Sequence, residues 1–402
     1  MTAQVVRLGD VADMLSGFSF KSEQFLESSE DGIYLVRGDN VQQGYIRWGE
    51  KAKKWRSDAY EDLARYQLQK DDVILAMDRP IVGGGLKLAW IKDDDLPSLL
   101  VQRVTRIRGV AEKARTNYLR YALSAPNFLA HIDRITTGAN IPHISGKDIA
   151  SFVLGLPTLA EQDRIVDFIA RYDHLIETNQ RRIALLEEAA RMLYREWFVE
   201  RRFSGFENCP LVNGLPEGWR LLAYSEVADF LNGFAFKPAH LSDFGFPVVK
   251  IPELRDGVSH RTPRNSGDTV PDKNKIDTGD LLFSWSATLL VNEWLDGPAL
   301  LNQHLFKVVP RFSSSKRFIR FALEAAIPAL LGQSVGATMQ HIRRSALDEH
   351  LVQFPDEDIR TDFAALIDPI CDKAIALRQQ NNALTEARDN LLPRILSGEV
   401  QV

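Results

Sequence analysis

Two stretches of this chain place apolar residues at alternating steps of three and four, the spacing that predicts long amphipathic helices. The first extends from Ala160 to Phe198 and the second from Asp358 to Leu396. A helix of about 40 residues is roughly 60 Å long. Pro369 and Pro393 fall inside the second stretch and predict a kink or a restart there.

Each stretch has an apolar seam interrupted by one polar residue, Asn179 in the first and Asn381 in the second. A single amphipathic helix often packs on its own domain, but two matched helices of this length favour an antiparallel pair. A polar seam residue can fix the register of such a pair. The expected helix-pair interface consists of Ile165, Phe168, Tyr172, Leu175, Leu186, Leu193, Trp197, Phe363, Leu366, Ile370, Leu377, Leu384 and Leu391.

The rest of each half alternates short apolar runs with turn residues, which predicts strands. In the first half the runs are 32–40, 71–78, 87–91 and 103–108; in the second they are 246–253, 279–286, 288–294 and 304–310. Short helical patterns cover Asn117 to Leu123 and Ser315 to Glu324. Each half is therefore predicted to form an α+β domain.

The two halves repeat one another. DVADMLSGFSFK at 10–21 returns as EVADFLNGFAFK at 226–237, LLVQRVTRI at 99–107 as ALLNQHLFKV at 299–308, and GANIPHIS at 138–145 as GATMQHIR at 336–343. A period of half the chain excludes a short-period solenoid. The prediction is an α+β fold with two tandem repeated domains separated by two long antiparallel helices, a coiled-coil spacer. Its segments are a first domain (1–156), a long helix (157–203), a second domain (204–354) and a distal helix (355–402). The glycines and prolines of SGFENCPLVNGLPEGW predict a linker at 204–219.

Composition limits the class of protein. The chain has 402 residues, a net charge of −5 and two cysteines, too few for a disulfide framework. It contains no run of about 18 apolar residues, so we expect a cytoplasmic protein that does not enter a membrane. The basic residues cluster locally, at 47–56, 103–120 and 311–320, while acids concentrate elsewhere. Scattered surface charge explains any one cluster, but recurrence in both halves favours one basic face on an acidic body.

A basic face suggests nucleic acid as a ligand. Arginine or lysine reads guanine, asparagine or glutamine reads adenine, and other basic groups contact phosphates. Gln102-Arg103 and Gln303-His304 occupy equivalent positions, as do His143 and His341; for the histidines a shared structural hydrogen bond is favoured over a phosphate contact. The candidate DNA-binding residues are Arg47, Lys51, Lys53, Lys54, Arg79, Lys87, Gln102, Arg103, His143, Arg255, Arg261, Arg264, Lys273, Lys275, Gln303, His304, His341 and Arg343.

The sequence contains no recognisable catalytic motif. It has no G-x-x-x-x-G-K-[ST] loop, and the glycines at 83–85 do not precede a predicted helix. It also lacks the Asn/Asp-Pro-Pro-aromatic motif of an amino-methyltransferase, and its histidines and cysteines lack the spacing of a zinc site. We therefore expect no catalytic residue, no metal and no directly bound cofactor.

Several segments resemble the specificity subunits of type I restriction–modification systems. The pieces are LPTLAEQ (156–162), DHLIETN (173–179) and YREWF (194–198) in the first helix, LPEGWR (215–220) before the second domain, and LLPRILSGE (391–399) at the distal end. The resemblance covers nearly the whole chain. The distal copy departs from it, reading FPDEDIR (354–360) where the first reads LPTLAEQ, and no PEGW precedes the first domain.

The resemblance implies a non-catalytic subunit in which 1–156 and 204–354 are target recognition domains that each read one half of a bipartite duplex DNA site. The helix pair then sets the gap and docks two methylation subunits, which carry S-adenosylmethionine and recruit helicase-nuclease restriction subunits. Two alternatives stay open from the residues: a protein–protein scaffold, and a DNA methyltransferase or nuclease with an undetected motif.

Overall fold

The computed structural model describes residues 3–136, 142–259, 261–332 and 342–402. The chain forms two compact units. The first contains Met1–Ile176 together with Ala383–Val402, and the second contains Glu177–Asn382. Each unit therefore combines one repeat, called head 1 or head 2 below, with a part of each long helix.

The elements follow the repeat. Head 1 contains strands β1 (Gln4–Arg7), β2 (Ala12–Ser16), β3 (Ile33–Val36), β4 (Lys54–Trp55), β5 (Val73–Ala76), β6 (Ile81–Val82), β7 (Gly85–Leu86), β8 (Leu88–Trp90), β9 (Ser98–Leu100), β10 (Val104–Gly109) and β11 (Val153–Leu156), with helices α1 (Thr116–Ser124), α2 (Pro126–Ile135) and α3 (Gly146–Ala150). The first long helix is α4 (Leu159–Tyr194), followed by a π-helical turn, Arg195–Val199. Head 2 contains β12 (Leu211–Val212), β13 (Leu215–Pro216), β14 (Arg220–Ala223), β15 (Ala228–Asn232), β16 (Phe246–Val249), β17 (Arg264–Asn265), β18 (Lys275–Ile276), β19 (Leu281–Ser284), β20 (Leu290–Glu293), β21 (Ala299–Leu301), β22 (Leu305–Pro310) and β23 (Leu351–Phe354), with helices α5 (Tyr224–Val227), α6 (Ile251–Asp256), α7 (Lys316–Gly332) and α8 (Ala346–Glu349). The second long helix is α9 (Glu357–Leu396).

The two heads have the same sheet topology. An antiparallel sheet of order β2-β10-β5-β8 in head 1 matches one of order β15-β22-β19-β20 in head 2. A parallel pair, β3 with β9, matches β16 with β21, and the ladder of β1 with β11 matches β14 with β23. The predicted duplication and the α+β class of each head are confirmed.

A glycine explains part of the repeated sequence. In the shared G-F-x-F-K segment, a Cβ atom on Gly17 would lie 2.2 Å from the Val101 carbonyl oxygen. The equivalent atom on Gly233 would lie 2.2 Å from the Asn302 carbonyl oxygen. Any other residue would push the two chain segments apart, so both copies need glycine at this close backbone approach.

The long helices pair in antiparallel fashion within each unit. In the first unit Ile165 and Ile169 of α4 share a core with Leu392 and Ile395 of α9. In the second unit the buried Asn179 side chain donates from Nδ2 to Asn381 Oδ1 at 3.0 Å. This hydrogen bond confirms the predicted polar position in the seam. Helix α9 continues through Pro369 and Pro393, so the predicted restart is wrong, whereas the predicted kink stays a prediction. Residues of the buried seam lie on both sides of Pro369.

The register of the buried seam differs from the prediction at several positions. Leu175 and Leu366 are exposed, with relative accessibilities of 36% and 50%, whereas Ile176 and Ile367 take the buried positions next to them. Ile165, Trp197, Phe363 and Leu377 are buried as predicted, and Phe168, Tyr172, Leu186, Leu193, Ile370, Leu384 and Leu391 are half-buried. The sequence pattern allows either of two adjacent stripes. In α9 the buried stripe includes Ile367, which packs in the core of head 2.

Two further segments differ locally from the prediction. The run 246–253 is a strand only to Val249, because Pro252 lies in the first turn of α6, where its missing N–H is tolerated. The predicted linker 204–219 contains the β12–β13 hairpin and the buried Trp219, which packs against Phe203 with ring centroids 5.5 Å apart. It is therefore a structured connection.

Candidate nucleic-acid interface

A wide groove in head 1 collects basic side chains that are distant in sequence. Its volume is about 1260 Å3, and its walls come from the loop between β3 and β4 and from the loop between β5 and β8. Five predicted residues line it: Arg47, Lys51, Lys53, Arg79 and Lys87. The tertiary structure thus brings two separate basic segments to one surface.

Lys53 at the end of the first loop and Lys54 at the start of β4 have acidic and carbonyl partners. Lys53 Nζ lies 2.6 Å from Glu27 Oε2. Lys54 Nζ donates to the Glu30 carbonyl oxygen at 2.7 Å and lies 5.0 Å from the centroid of the Tyr34 ring. Lys54 does not line the groove, and Lys53 reaches it while paired.

Lys87 and Arg79 belong to the second wall. Burial lowers the pKa of Lys87, and nearby arginines lower it further against the opposing effect of Asp39 and Asp78. Arg79 has a left-handed backbone (φ 46°), and its N–H donates to the Pro142 carbonyl oxygen at 2.7 Å. A non-glycine residue in this conformation is uncommon and needs support from its surroundings.

Polar residues that the sequence analysis did not select also line the groove. Gln42, Gln43 and Tyr45 form a tight turn in which the Gln42 N–H donates to the Tyr45 carbonyl oxygen at 3.0 Å. Gly44, with φ of 88°, allows the turn. The one sequence signal for these residues is that they lie next to the basic cluster at 47–56.

Arg103 and His143 meet at one carboxylate at the end of β5. Arg103 Nη1 lies 2.6 Å from Asp78 Oδ2, and His143 Nδ1 lies 2.6 Å from Asp78 Oδ1. Burial alone raises the pKa of Asp78, but the hydrogen bonds from Arg103 and His143 outweigh it and hold that pKa below its ordinary value. Gln102 is exposed beside them.

The equivalent position in head 2 has a serine hydroxyl where head 1 has the carboxylate. His304 Nδ1 lies 3.1 Å from Ser286 Oγ, and Gln303 accepts from Trp285 Nε1 through its carbonyl oxygen at 3.1 Å. His341 lies outside the described residues. Matched hydrogen bonds at the end of one strand in both heads fit a shared structural role for these positions.

The remaining head 2 candidates differ in their partners and in their exposure. Arg255 pairs with Asp256 at 2.9 Å, Lys275 pairs with Asp272 at 2.7 Å, and Arg264 donates to the Gly245 carbonyl oxygen at 2.8 Å. Arg255 lines a cavity of about 280 Å3, and the other candidates are not among its lining residues. Arg261, Lys273 and Arg343 are exposed.

Metal clusters and membrane-spanning helices are both absent from the part of the chain that the structure describes. Across 3–136, 142–259, 261–332 and 342–402, no three histidine, cysteine, aspartate or glutamate side chains are placed to hold a metal ion. In the same ranges none of the helices combines the length and the apolar character needed to cross a bilayer.

Comparison with known proteins places these features in a family. The family model described as type I restriction modification DNA specificity domain matches residues 2–188 and again 216–386, which is most of the chain. The chain belongs to this family. The two matches correspond to the two heads, each with most of the long helix that follows it, so the family model repeats where the fold repeats.

Curated relatives agree with this assignment. The specificity subunit of the EcoAI type I restriction enzyme from Escherichia coli is 35% identical over 43% of this chain and 28% of its own length. The MjaVIII specificity subunit from Methanocaldococcus jannaschii is 31% identical over 47% of this chain and 44% of its own length. These alignments thus span less than half of either relative. The HindI specificity subunit from Haemophilus influenzae is 22% identical over 84% of this chain and 88% of its own length.

A solved structure has the same fold. The type I restriction-modification S subunit from M. genitalium superposes with a TM-score of 0.56, at 13% identity, over 97% of this chain and 94% of its own. At that identity the likeness concerns the fold: tandem α+β heads with long helices.

Proposed function

We propose that this chain is the DNA-recognition subunit of a type I restriction–modification complex and that each head binds one half of a bipartite duplex site. Two diverged heads on one chain suit an asymmetric split site, because each head reads its own half. Family membership over both repeats carries the proposal and favours it over a scaffold or an independent nuclease.

The groove of head 1 supports duplex DNA as the ligand. Arg47, Lys51 and Lys87 supply positive charge for phosphates, and the amides of Gln42 and Gln43 lie on the same surface. Phosphate contacts give affinity and orientation, whereas groups that reach base edges give sequence preference. A groove that combines both kinds of side chain suits specific duplex recognition.

The helix pair suits a spacer that also receives partner subunits. Beyond the seam with α9, a second apolar stripe consists of Leu185 and Met192 on α4 and Val199 at the end of the π-helical turn. These residues are 72%, 57% and 57% exposed and follow at intervals of one heptad. An apolar stripe with heptad spacing is the surface against which another amphipathic helix packs. We assign it to two methylation subunits of the complex.

Catalysis belongs to the partners in this proposal. The methylation subunits carry S-adenosylmethionine, and they recruit the helicase-nuclease restriction subunits. The chain itself contributes binding, and its own residues orient the duplex and hold the two heads on one spacer.

The direct test is selection of bound molecules from a pool of random duplexes by the full chain, followed by sequencing. We expect a motif of two short specified parts separated by an unspecified gap of fixed length. Enrichment of no motif, or of one continuous motif, contradicts the proposal.

The spacer is tested by a paired insertion at the boundary between the units, after Ile176 in α4 and before Ala383 in α9. Seven residues in each helix preserve the seam and add about 10 Å, or about three base pairs at 3.4 Å each. We expect the gap to lengthen by that amount with both half-sites unchanged. Seven residues in α4 alone break the pairing and serve as the control. An unchanged gap contradicts the spacer role.

A further inference from the structure

The two heads share their sheets but differ in two loops. The loop between β3 and β4 covers 37–53, and the matching loop in head 2 covers 250–263 and contains α6. The loop between β5 and β8 covers 77–87 and contains the β6–β7 hairpin, whereas its counterpart at 285–289 is short. Two sites that read different bases need a constant frame with different loops.

Hydrogen bonds hold the first of these loops at its base and at its tip in head 1. Asn40 is buried at its base, where Oδ1 accepts from the Arg37 N–H at 3.2 Å and Nδ2 donates to the Arg47 carbonyl oxygen at 3.0 Å. The Gly44 N–H at its tip donates to the Leu88 carbonyl oxygen at 2.8 Å. A loop that is already ordered loses little conformational entropy when it binds a ligand.

A side chain joins the first loop to the second. Gln43 Nε2 donates to the Val82 carbonyl oxygen at 2.9 Å, next to the hairpin turn at Gly83 and Gly84, which have φ of 57° and 77°. Tyr45 and Val82 are each 51% exposed in a groove that is otherwise mostly polar and basic. Apolar groups in such a position suit contact with the methyl group of thymine.

The side-chain amide oxygens of Gln42 and Gln43 can accept hydrogen bonds from a ligand. Gln42 Nε2 donates to the Asp39 carbonyl oxygen at 3.0 Å, so both glutamines use their NH2 groups within the protein. Among the described residues no donor is paired with either amide oxygen. In the major groove such an oxygen accepts a hydrogen bond from the exocyclic amino group of adenine or cytosine.

We infer that Gln42, Gln43, Tyr45 and Val82 determine which bases head 1 prefers, while Arg47, Lys51 and Lys87 hold the phosphates. This assignment rests on the proposed function, since it names the reading residues of the same groove. It also separates them from the basic residues of β4 and its approach, Lys53 and Lys54, whose charges are already engaged.

The experiment repeats the random-duplex selection with full-length Gln42→Ala, Tyr45→Ala and Val82→Ser chains. We expect each variant to lose about tenfold in discrimination at one or two positions of a single half-site. The other half-site and the gap stay as in the parent chain. Gln24→Ala, an exposed glutamine of the same head outside the groove, is the matched control and keeps the full motif.

The outcomes separate the two proposals. A parent chain that selects a bipartite motif, with variants that select the identical motif, overturns the inference and leaves the proposed function standing. A parent chain that selects no motif overturns both. A variant that loses the motif together with its thermal unfolding transition has lost its fold, and the Val82→Ser chain, changed on the other loop, then decides the matter: an unchanged motif there contradicts the inference.

Discussion

The two heads differ in the side chains that surround an equivalent arginine, where each head packs against its part of the helix pair. Head 1 carries Arg120 on α1, and head 2 carries Arg320 at the equivalent position of α7, in NYLRYAL (117–123) and RFIRFAL (317–323). The Arg120 guanidinium lies 3.9 Å from the centroid of the Trp90 ring and also pairs with Asp173 of α4. Asp173 in turn contacts Arg388 of α9 at 2.8 Å.

Head 2 has an acid where head 1 has the tryptophan. The strand register places Glu293 at the position of Trp90, and this carboxylate is only 3% exposed. It faces Arg317 at 3.1 Å, Lys316 at 3.2 Å and Arg320 at 3.3 Å. Both heads therefore have an arginine at this position of the same fold. The neighbouring strand supplies an aromatic ring in head 1 and a buried carboxylate in head 2.

A second pair of positions shows the same pattern. Gln162, fully buried at the start of α4, accepts from the Arg115 N–H at 2.8 Å and donates to the carbonyl oxygens of Pro157 at 2.9 Å and Lys113 at 3.1 Å. Arg360 at the start of α9 donates to Pro355 at 2.7 Å and to Ser313 at 3.3 Å. FPDEDIR and LPTLAEQ thus differ in sequence, yet in both a buried polar side chain at the last position donates hydrogen bonds to equivalent carbonyl groups.

The largest expected difference between the heads comes from removing the buried charge. Glu293→Gln leaves three cations around an uncharged amide, so we expect a loss of about 3–5 kcal/mol in the free energy of unfolding. Trp90→Leu in head 1 removes a cation–π contact worth about 1–2 kcal/mol. Urea unfolding of the two full-length variants measures both. An equal loss of unfolding free energy in the two variants contradicts the expected difference between the buried charge of head 2 and the cation–π contact of head 1.

The buried polar residues at the helix starts come next. Gln162→Ala leaves the Pro157 and Lys113 carbonyl groups and the Arg115 N–H without this partner, which costs about 2–3 kcal/mol. Arg360→Gln gives α9 the side chain that α4 has at the equivalent position, and it should lower the free energy of unfolding by about 1 kcal/mol. The same urea measurement compares them. A larger loss for Arg360→Gln means that the two side chains are not equivalent.

The salt dependence of DNA binding compares the basic groove of head 1 with the exposed cations of head 2. Each lost phosphate contact lowers the steepness of log affinity against log salt by about 0.9, so we expect a slope shallower by about 2 for the double change Arg47→Ala with Lys51→Ala.

Lys53→Ala with Lys54→Ala is the matched control. We expect a smaller change of slope for it, because both lysines are paired within head 1. Arg261→Ala with Lys273→Ala gives the value for head 2. Titration of a fixed duplex at several salt concentrations supplies the slopes. Equal slopes for the parent and the Arg47/Lys51 variant remove that pair from the interface.

The smallest expected effect is the acid response of head 2. Burial alone raises the pKa of Glu293, but Arg317 and Lys316 outweigh it and place that pKa below its ordinary value of 4.5. The charged form therefore adds stability above the ordinary pKa, and this contribution is lost as pH falls through the lower folded pKa. Thermal unfolding from pH 6 down to about pH 3 should show a shallower decline for Glu293→Gln than for the parent chain. Parallel declines contradict this assignment.

Much of the fold was readable from the pattern of residues alone. The repeats at 10–21 and 226–237, the alternating strands and the three-four spacing of the long helices predict tandem α+β domains and a paired spacer. These signals are local, since periodicity reports which face of an element is buried. The sequence placed the polar seam residues Asn179 and Asn381, but the choice between Leu175 and Ile176 needed the packed structure, because two adjacent stripes of similar apolar character both fit the pattern.

The site was less readable, because a charge in the sequence does not reveal its partner. Lys53, Lys54 and Arg103 look like ligand-binding cations until the tertiary structure pairs them with Glu27, the Glu30 carbonyl group and Asp78. Val82 carries no sequence signal, and the only signal for Gln43 is its nearness to the basic cluster at 47–56. The two residues become neighbours only because the β3–β4 and β5–β8 loops, which join strands of two different sheets, line one groove. The sequence by itself determined the duplication, the element order and the family resemblance. Only folding decided which charges stay available to a ligand, since that depends on contacts between residues far apart along the chain.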